Sequence, residues 1–338
     1  MKICILDPGL QDQKGSISHN LGDLIIQESL TKEIYQLFPG AELVRYATHE
    51  PMTAHQLSTL SSFPIVLVGG TNLLTSRFRP YNRWSARYNC WSNQWSIDLI
   101  DAIRIKNAIL LGTGWVQYQG KPDLFSRLIY RAALSSQALH SVRDNYSRSQ
   151  MIKAGVKNVL NTNCVTMWPL AEMNMARFPT HQAENALVVL TDYSQQPDTD
   201  RQLLELLKFR YKKVYAWPQG TGDADYLDRL GFDGIRLNRT LGDLDAFIQS
   251  EISFDYIGTR LHGGIRCLQN YRRALIIEVD NRAAEIARDT NLPTVKRKDF
   301  DYIERWIQRS QPLDIRLNLD AIQQWRSHTV QLAGSLTA

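Results

Sequence analysis

The sequence predicts an α/β protein of two parallel-sheet domains that face a cleft, followed by a C-terminal helical tail. Short β-branched runs alternate with amphipathic helical patterns along almost the whole chain, which is typical of parallel α/β sheets. The 338 residues are too many for one ordinary domain and suit two. Both domains are therefore expected to be Rossmann-like.

The first domain is predicted over residues 1–172. Its strands are expected at KICIL, ELVRYA, PIVLVGG, NAILLGTG and ALHSVRD, and VLNTNCVTMWPL closes the domain. The pattern GDLIIQESLTKEIYQLF has apolar residues at helical spacing and predicts an amphipathic helix, as does SRSQMIKAG.

The second domain is predicted over residues 186–310, after a segment without apolar periodicity, 173–185, that we interpret as a linker. Its strands are expected at ALVVLTD, KKVYAWP, GIRL, FDYIG and ALIIEVD. Helical patterns follow them at TDRQLLELLKFR, from Tyr226, and at LGDLDAFIQS, HGGIRCLQNY and RAAEIARDT. DYIERWIQRS is also helical, and residues 311–338 predict the closing helix.

Composition narrows the classes of function. The net charge of +5 comes without a dense Lys/Arg block, so no nucleic-acid partner is predicted, and the charge equally suits a phosphorylated or carboxylated small molecule. The four cysteines lack Cys-x-x-Cys spacing, which indicates no metal site and a reducing, cytoplasmic environment. No run is apolar enough for a transmembrane segment, and the N-terminus resembles a buried strand rather than a signal peptide.

Candidate ligand-binding turns follow the predicted strands, because ligands of parallel sheets bind outside the carboxyl ends of strands. Neither turn of the first domain matches a dinucleotide or P-loop motif. Their glycines indicate either positive φ or close approach of a ligand to the backbone. Occurring twice in one domain, such turns favour a shared cleft formed by Gly69, Gly70, Thr71 and Asn72 after one strand and Gly112, Thr113 and Gly114 after another.

Three further features have both a structural and a functional interpretation. Asn20 and Asp23 suit the start of a helix through capping and the helix dipole, or a loop that faces the cleft. Arg143, at a strand end, either pairs with a carboxylate such as Asp144 or grips an anion with its planar fork. Within the Arg- and Trp-rich segment 77–95, an aromatic stripe at helical spacing predicts packing or a stacking platform, and comprises Trp84, Tyr88, Trp91 and Trp95.

The segment IGTRLHGG carries the most specific pattern. If its strand ends at Gly258, a helix begins near Leu261, and the first amides of that helix form an anion site. Arg260 adds a fixed positive charge, and His262 adds a proton that moves near neutral pH. A ligand can approach the backbone closely at the two glycines that follow, Gly263 and Gly264.

Taken in order, these motifs resemble the polysaccharide pyruvyl transferases, which move the enolpyruvyl unit of phosphoenolpyruvate onto sugar hydroxyls. The resemblance runs through HNLGD, LVGGTNLL, ILLGTGW, SVRDNYSRSQMIKAG and NTNCVTMWPL to GTRLHGGIRCLQN. SVRD and TRLHG together are fairly specific, whereas the glycine turns alone are not. The chain departs from the family pattern in the Arg- and Trp-rich segment and at Gly264.

The resemblance implies a GT-B-like fold without metal or cofactor. It also implies that Arg260 and His262 serve the phosphoenolpyruvate site and that Arg143 faces the same donor. The partners would be phosphoenolpyruvate and a sugar or glycan acceptor, with the acceptor on the first domain and the donor on the second.

Two other classes of function stay open at this point. The first is a GT-B glycosyltransferase in which the QGTGD turn and GTRLHGG hold the diphosphate of a nucleotide sugar. The second is a non-catalytic glycan- or nucleic-acid-binding module that uses the segment 77–95. The sequence does not specify the acceptor sugar, its hydroxyls, a ketal or an enol ether product, or the oligomeric state.

Overall fold

A computed structural model describes residues 1–78 and 94–337 of the chain. The chain divides into two compact units, which we call unit 1 and unit 2. Unit 1 comprises Met1–Ser18, Ile26–Val165 and Leu317–Ala338. Unit 2 comprises His19–Ile25 and Thr166–Arg316. Both contain parallel sheets with helices in the connections, so the predicted α/β class is confirmed.

The sheet of unit 1 has the strand order β2-β1-β3-β4, and all its neighbouring strands are parallel. These strands are β1 (Lys2–Asp7), β2 (Glu42–Ala47), β3 (Ile65–Gly69) and β4 (Ile109–Leu111). Two short strands, β5 (His140–Val142) and β6 (Val159–Asn161), form a separate parallel pair. Residues 65–69 and 109–111 are all buried, as expected for parallel strands covered on both faces.

The helices of the first half connect these strands. They are α1 (Leu21–Leu37), α2 (Ala54–Thr59), α3 (Leu99–Ile105), α4 (Leu124–Ala133) and α5 (Asn145–Ala154). Aspartates cap the last three: the side chains of Asp98, Asp123 and Asp144 accept from backbone amides of the first turn. Helix α5 ends at Gly155, whose φ of 98° suits a residue without a side chain.

The sheet of unit 2 has the strand order β12-β11-β10-β7-β8-β9 and is parallel throughout. Its strands are β7 (Asn185–Val189), β8 (Lys213–Ala216), β9 (Ile235–Arg236), β10 (Phe254–Gly258), β11 (Ala274–Glu278) and β12 (Thr294–Lys296). The helices are α6 (Pro197–Arg210), α7 (Asp223–Arg229), α8 (Leu241–Gln249), α9 (Leu261–Leu268), α10 (Asn281–Thr290) and α11 (Phe300–Gln308). A further helix, α12 (Leu319–Thr337), follows in the part of the chain that belongs to unit 1.

The strand order of unit 2 reverses between β7 and β10. From β7 the chain proceeds to β8 and β9 on one side, whereas β10, β11 and β12 proceed on the other. Ligands of open α/β sheets bind at such a switch point. Two hydrogen bonds join the strand ends there: Thr259 N donates to the carbonyl of Val189 at 2.8 Å, and Thr191 N donates to Thr259 Oγ1 at 2.8 Å.

Several elements lie outside the sequence prediction, namely α2, α3, α4 and the strand β12. Helix α2 has six residues and α3 has seven, so neither shows two full periods of an apolar pattern. Both depend on capping boxes, formed by Thr53 with Gln56 and by Asp98 with Asp101. The predicted strand VLNTNCVTMWPL is also shorter than expected: β6 ends at Asn161, and a 3-10 helix covers Val165–Glu172.

Most of the Arg- and Trp-rich segment lies outside the described residues, and Trp84, Tyr88 and Trp91 are among the residues not described. Trp95 is described and is 1% exposed in the core of unit 1. Its ring meets Phe78 edge-on with centroids 6.4 Å apart. At this one position the packing interpretation of the aromatic stripe is the correct one.

Three cysteines of the described residues, Cys4, Cys164 and Cys267, are free thiols and are buried. Burial raises the pKa of the Cys4 thiol to about 12 and also raises the pKa of Cys267. In residues 1–78 and 94–337, no group of three or more His, Cys, Asp or Glu side chains is placed to hold a metal ion. The helices of these ranges include none with the length and apolar content that crossing a membrane requires.

Candidate functional site

Arg260 lies at the switch point of unit 2, between the end of β10 and the start of α9. The strand ends at Gly258 and the helix begins at Leu261, as the sequence predicts. Arg260 is the N-cap residue with extended backbone, and its side chain is 5% exposed. Its carbonyl accepts from the hydroxyl of buried Tyr256 at 2.5 Å.

The guanidinium of Arg260 is paired with Asp223, the first residue of α7. Arg260 Nε donates to Asp223 Oδ2 at 3.0 Å, and Nη2 donates to Oδ1 at 2.5 Å. Backbone amides of Gln219 and Gly220 donate to Oδ2 at 3.0 and 2.7 Å, and that of Asp192 donates to Oδ1 at 2.9 Å. Asp223 is completely buried and thus ties the loops after β7, β8 and β10 into one network.

A second carboxyl group shares the same guanidinium. Arg260 Nη2 also donates to Asp192 Oδ1 at 3.0 Å, and the Asp192 side chain is 31% exposed. Burial raises the pKa of Asp192, the neighbouring negative charge of Asp223 raises it further, and Arg260 opposes both effects. Asp192 is therefore easier to protonate than an ordinary aspartate.

Aromatic and basic side chains surround this pair of carboxyl groups. The ring of Tyr193, 47% exposed, has the guanidinium carbons of Arg260 and Arg282 at 5.0 and 5.8 Å from its centroid. Tyr193 Oη accepts from Arg282 Nη2 at 2.5 Å, and Arg282 also forms an ion pair with Asp280. The guanidinium of Arg239 faces the charges of Asp223, Asp192 and Arg260, and burial lowers its pKa.

The loop of Asn20 and Asp23 joins the same network through Gln219. Gln219 Nε2 donates to Asn20 Oδ1 at 2.8 Å, and the backbone amide of Leu21 donates to the Gln219 carbonyl at 3.1 Å. Asn20 Oδ1 also accepts from the amide of Gly22 at 3.2 Å, so Asn20 caps α1 as well as facing the site. Asn20 Nδ2 donates to Asp23 Oδ2 at 3.3 Å. The capping interpretation of this loop is the one observed, and Asn20 also contacts Gln219.

His262 and the two glycines form the first turn of α9. His262 is 3% exposed. A Cβ on Gly263 would lie 3.2 Å from Gln219 Oε1, whereas a Cβ on Gly264 would lie 2.6 Å from Ile276 in β11. Gly264 therefore allows the helix to pack on the sheet, and Gly263 faces the polar network.

The predicted residues of unit 1 form a separate cluster around Arg143. Arg143 is 1% exposed; its Nε donates to Asp144 Oδ2 at 3.1 Å. Its Nη2 donates to Asn72 Oδ1 at 2.6 Å and to the carbonyl of Trp115 at 3.3 Å. A Cβ on Gly114 would lie 2.0 Å from Arg143 Cζ, so this glycine makes room for the guanidinium. Of the two interpretations of Arg143, its pairing with Asp144 is the one observed.

The other glycines of unit 1 serve packing and turn geometry. Gly70 has φ of 53°, and its Cβ would lie 2.1 Å from Ile26 of α1. A Cβ on Gly69 would meet Leu30 of the same helix at 2.4 Å. Gly112 has φ of 64°. The carbonyls of the residues that follow, Thr71 and Thr113, accept from the amides of Gly114 and Arg143, respectively.

A cavity of about 230 Å³ in unit 2 lies away from these residues. Its lining includes Ala274 and Thr294, which begin β11 and β12, so it lies at the opposite end of the sheet from Arg260. It contains none of the predicted site residues. The enclosed volume and the candidate chemistry are therefore in different places.

The sequence interpretation missed the acidic partners of Arg260. Asp192 lies in the loop after β7, and Asp223 begins α7 after the loop that follows β8. Carboxylates in the loops after two neighbouring parallel strands are a signal that marks the same edge of a sheet. Tyr193, Arg239 and Gln219 were also missed as members of the network. Gln219 and Asp223 enter the sequence analysis only as part of the QGTGD turn, as a candidate diphosphate site in the glycosyltransferase alternative.

Comparison with known proteins adds one positive result. Residues 20–185 match the model of the family described as polysaccharide pyruvyl transferase. The matched range contains LVGGTNLL, ILLGTGW, SVRDNYSRSQMIKAG and NTNCVTMWPL, and it ends before GTRLHGG. No curated protein sequence matches the chain.

A solved structure of the wall teichoic acid polymerase TagF is similar at a TM-score of 0.40 and 10% identity, over 99% of this chain and 82% of that chain. A likeness at this level carries no argument about fold or function. The family match, in contrast, confirms the resemblance expected from the motifs. Residues 20–185 are thus similar to the polysaccharide pyruvyl transferase family.

Proposed function

We propose that the protein transfers the enolpyruvyl group of phosphoenolpyruvate to hydroxyls of a sugar in a glycan or glycan precursor, forming a pyruvate ketal. The observation that carries this proposal is the family match over residues 20–185. The match supports a transferase that acts on a glycan. To this the proposal adds phosphoenolpyruvate as the donor and a pyruvate ketal as the product.

The network of unit 2 supports a place for the donor. Phosphoenolpyruvate carries a phosphate and a carboxylate, so its site needs cationic groups and oriented amides. Arg260 supplies a guanidinium at the N-terminus of α9, and the positive end of a helix dipole favours an anion. Arg239 and Arg282 bring further positive charge to the same strand ends. We therefore assign the donor to the domain of residues 186–310 and the acceptor to that of residues 1–172.

The reaction needs a proton donor and a proton acceptor. The methylene carbon of the donor gains a proton, and a sugar hydroxyl forms a bond to C2. The bond from C2 to the phosphate oxygen then breaks and phosphate leaves, after which a second hydroxyl forms a bond to C2 and closes the ketal. The two hydroxyl protons balance the proton added to carbon and the one that leaves with phosphate. His262, in the first turn of α9, is our candidate for the acid, a role typically worth ~10²–10⁴-fold in rate.

Arg143 has a positioning role in this scheme. Its guanidinium is occupied by Asp144, Asn72 and Trp115 in unit 1. It thereby fixes the turns after β3 and β4, which the family match includes. The direct contact to the donor that the resemblance implies is tested with the variants below.

Ligand-dependent thermal unfolding tests the donor without knowledge of the acceptor. The wild type is heated with phosphoenolpyruvate, UDP-sugars or GDP-sugars, and a ligand at ~100 times its Kd adds about 2.7 kcal/mol of apparent stability. We expect a shift with phosphoenolpyruvate alone. A shift with a nucleotide sugar alone would contradict pyruvyl transfer and favour a glycosyltransferase.

Arg260→Lys is the better site variant for this test than Arg260→Ala. Removing the guanidinium entirely leaves the buried Asp223 unpaired, at a cost of about 3–5 kcal/mol that would mask any ligand effect. Lysine keeps a positive charge but loses the fork that grips an anion. The matched control is Arg266→Lys in the last turn of α9, where Arg266 pairs with the half-buried Asp245. We expect Arg260→Lys to lose the phosphoenolpyruvate shift and Arg266→Lys to keep it.

Turnover is then measured as phosphate release from phosphoenolpyruvate with a panel of glycan precursors. His262→Ala should lose ~10²–10⁴-fold in turnover with a modest loss of the phosphoenolpyruvate shift. Unchanged turnover would remove His262 from the mechanism. Phosphate release by the wild type, with a pyruvate ketal in the product, would establish the reaction.

A further inference from the structure

Asp192 and Asp223 share one guanidinium but have very different surroundings. Both oxygens of Asp223 accept from backbone amides and from Arg260, and its side chain is completely buried. Asp192 is held by a bond from Arg260 Nη2 to Oδ1 at 3.0 Å, and 31% of its side chain is exposed. Asp223 is therefore a fixed member of the scaffold, and Asp192 is the carboxyl group that a ligand can reach.

The turn before α7 leaves space for this carboxyl group. A Cβ on Gly222 would lie 2.3 Å from Asp192 Oδ2. Gly222 has φ of −95° and ψ of 0°, a conformation that residues with a side chain also adopt. The absence of a side chain at Gly222 therefore makes room for Asp192 and is not required by the backbone conformation.

A buried acceptor atom of the same network has no hydrogen-bond donor among the described residues. Gln219 is 2% exposed, and its Oε1 accepts no hydrogen bond from any described residue. This oxygen lies beside the first turn of α9, 3.2 Å from where a Cβ on Gly263 would be. The backbone amide of the same residue donates to Asp223. Because a buried acceptor is costly without a donor, a ligand hydroxyl or an ordered water suits this position.

We propose that Asp192 accepts the proton of the sugar hydroxyl that attacks C2 of the donor, and that Asp223 is the positioning residue that fixes the Arg260 guanidinium beside it. This inference rests on the proposed function and assigns the base that the reaction needs. As the bond from the hydroxyl oxygen to C2 forms, the O–H bond breaks and its proton passes to the Asp192 carboxylate. That proton replaces the one given to the methylene carbon, so the step is balanced without any further reactant.

The charges that face Asp192 suit a proton acceptor. Asp223 repels a second negative charge, whereas Arg260 and Arg239 attract it. The net effect with burial is a raised pKa, and a carboxylate with a raised pKa is the stronger base. A tyrosine phenol ordinarily has a pKa of about 10, so the adjacent residue, Tyr193, is protonated and does not compete as a base near neutral pH.

The test compares Asp192→Asn with Asp245→Asn. Asparagine keeps the shape of aspartate and cannot accept the proton. Asp245 is the matched control, because it is 27% exposed and pairs with Arg266 in the same unit. We expect Asp192→Asn to lower kcat by ~10²–10³-fold and Asp245→Asn to retain wild-type kcat. The phosphoenolpyruvate-induced thermal shift should be retained in both variants.

The pH profile separates proton transfer from a merely structural role. In the wild type, kcat/KM should fall on the acidic side as Asp192 becomes protonated, because the protonated form cannot act as a base. This acidic limb should disappear in Asp192→Asn and return, with partial activity, in Asp192→Glu. An unchanged acidic limb in Asp192→Asn, or full turnover by that variant, would overturn the inference.

If Asp192→Asn does not fold, Gly222→Ala tests whether Asp192 acts as the base. The added methyl group displaces the Asp192 carboxyl group while its charge stays, so kcat should fall and the acidic limb should persist. Wild-type kcat in Gly222→Ala would overturn the inference. Binding of phosphoenolpyruvate and release of phosphate are measured on the wild type before any variant is made. A wild type that does neither would overturn the proposed function itself.

Discussion

Each unit places an arginine directly after a parallel strand, and the two arginines have opposite settings. Arg143 pairs with Asp144, the next residue of the chain, and 1% of its side chain is exposed. Arg260 pairs with carboxylates from two other loops, and one of them, Asp192, is 31% exposed. The acidic partner of Arg143 is its chain neighbour, whereas the acidic partners of Arg260 connect the loops after β7 and β8 with the start of α9.

The difference shows why an arginine at the same position of two similar folds is, by itself, weak evidence for a shared function. Asp144 also caps α5 by accepting from Ser147 N at 2.6 Å, so the ion pair of unit 1 belongs to the start of a helix. Arg260 is itself the N-cap residue of α9, and no side chain caps that helix within the described residues. The two helix starts therefore differ in how they are capped.

The largest effect that would test this comparison is on the stability of unit 1. Arg143→Ala leaves the buried Asp144 without its guanidinium, so we expect a loss of about 3–5 kcal/mol in the free energy of unfolding. The variant Arg143→Lys should retain part of this stability and the full phosphoenolpyruvate shift in thermal unfolding. Loss of that shift in a folded Arg143→Lys protein would show that Arg143 contacts the donor. It would contradict the contrast between Arg143 and Arg260.

A second prediction concerns His140, a histidine of unit 1 that is expected to stay neutral. His140 is fully buried; its Nε2 faces the Ser135 carbonyl at 2.8 Å, and Leu110 N donates to its Nδ1 at 3.3 Å. Burial lowers the pKa of His140 from 6.5 to about 4.

Because the unfolded chain then binds the proton more tightly, stability should fall as the pH drops from 6.5 towards 4. The loss approaches about 3 kcal/mol, at about 1.4 kcal/mol for each pKa unit. Urea unfolding of the wild type and of His140→Gln across this range measures it. Parallel stability curves for the two proteins would exclude His140 as the cause.

The smallest expected effect uses a matched pair of glycines. A Cβ on Gly114 would lie 2.0 Å from Arg143 Cζ, and one on Gly220 would lie 2.1 Å from Arg260 Nη2. Gly114→Ala and Gly220→Ala should each lower stability by about 1–3 kcal/mol, because buried guanidinium groups must move. Turnover should fall in Gly220→Ala only. Equal losses of turnover in both variants would mean that the two arginines serve the reaction alike.

The sequence predicts the sheets better than it predicts the site. Strands such as β2 and β10 match the predicted ELVRYA and FDYIG residue by residue, because local apolar patterns determine them. The partners of Arg260 lie 37 and 68 residues away along the chain, and no local pattern carries a pairing of that range. For the glycines at the end of β3, the sequence predicted positive φ or close approach of a ligand. Gly70 has a positive φ of 53°, and the group that packs against both glycines is α1.

Two buried thiols allow the unfolding of each unit to be followed by chemical labelling. Cys4 lies in β1 of unit 1 and Cys267 in α9 of unit 2, and both are 0% exposed. In the folded protein, burial shields both thiols and raises their pKa, so they are poor nucleophiles. Alkylating reagents should therefore modify each cysteine only after the unit that contains it has opened. Peptide-resolved labelling rates in the presence and absence of phosphoenolpyruvate would then show which unit the ligand protects.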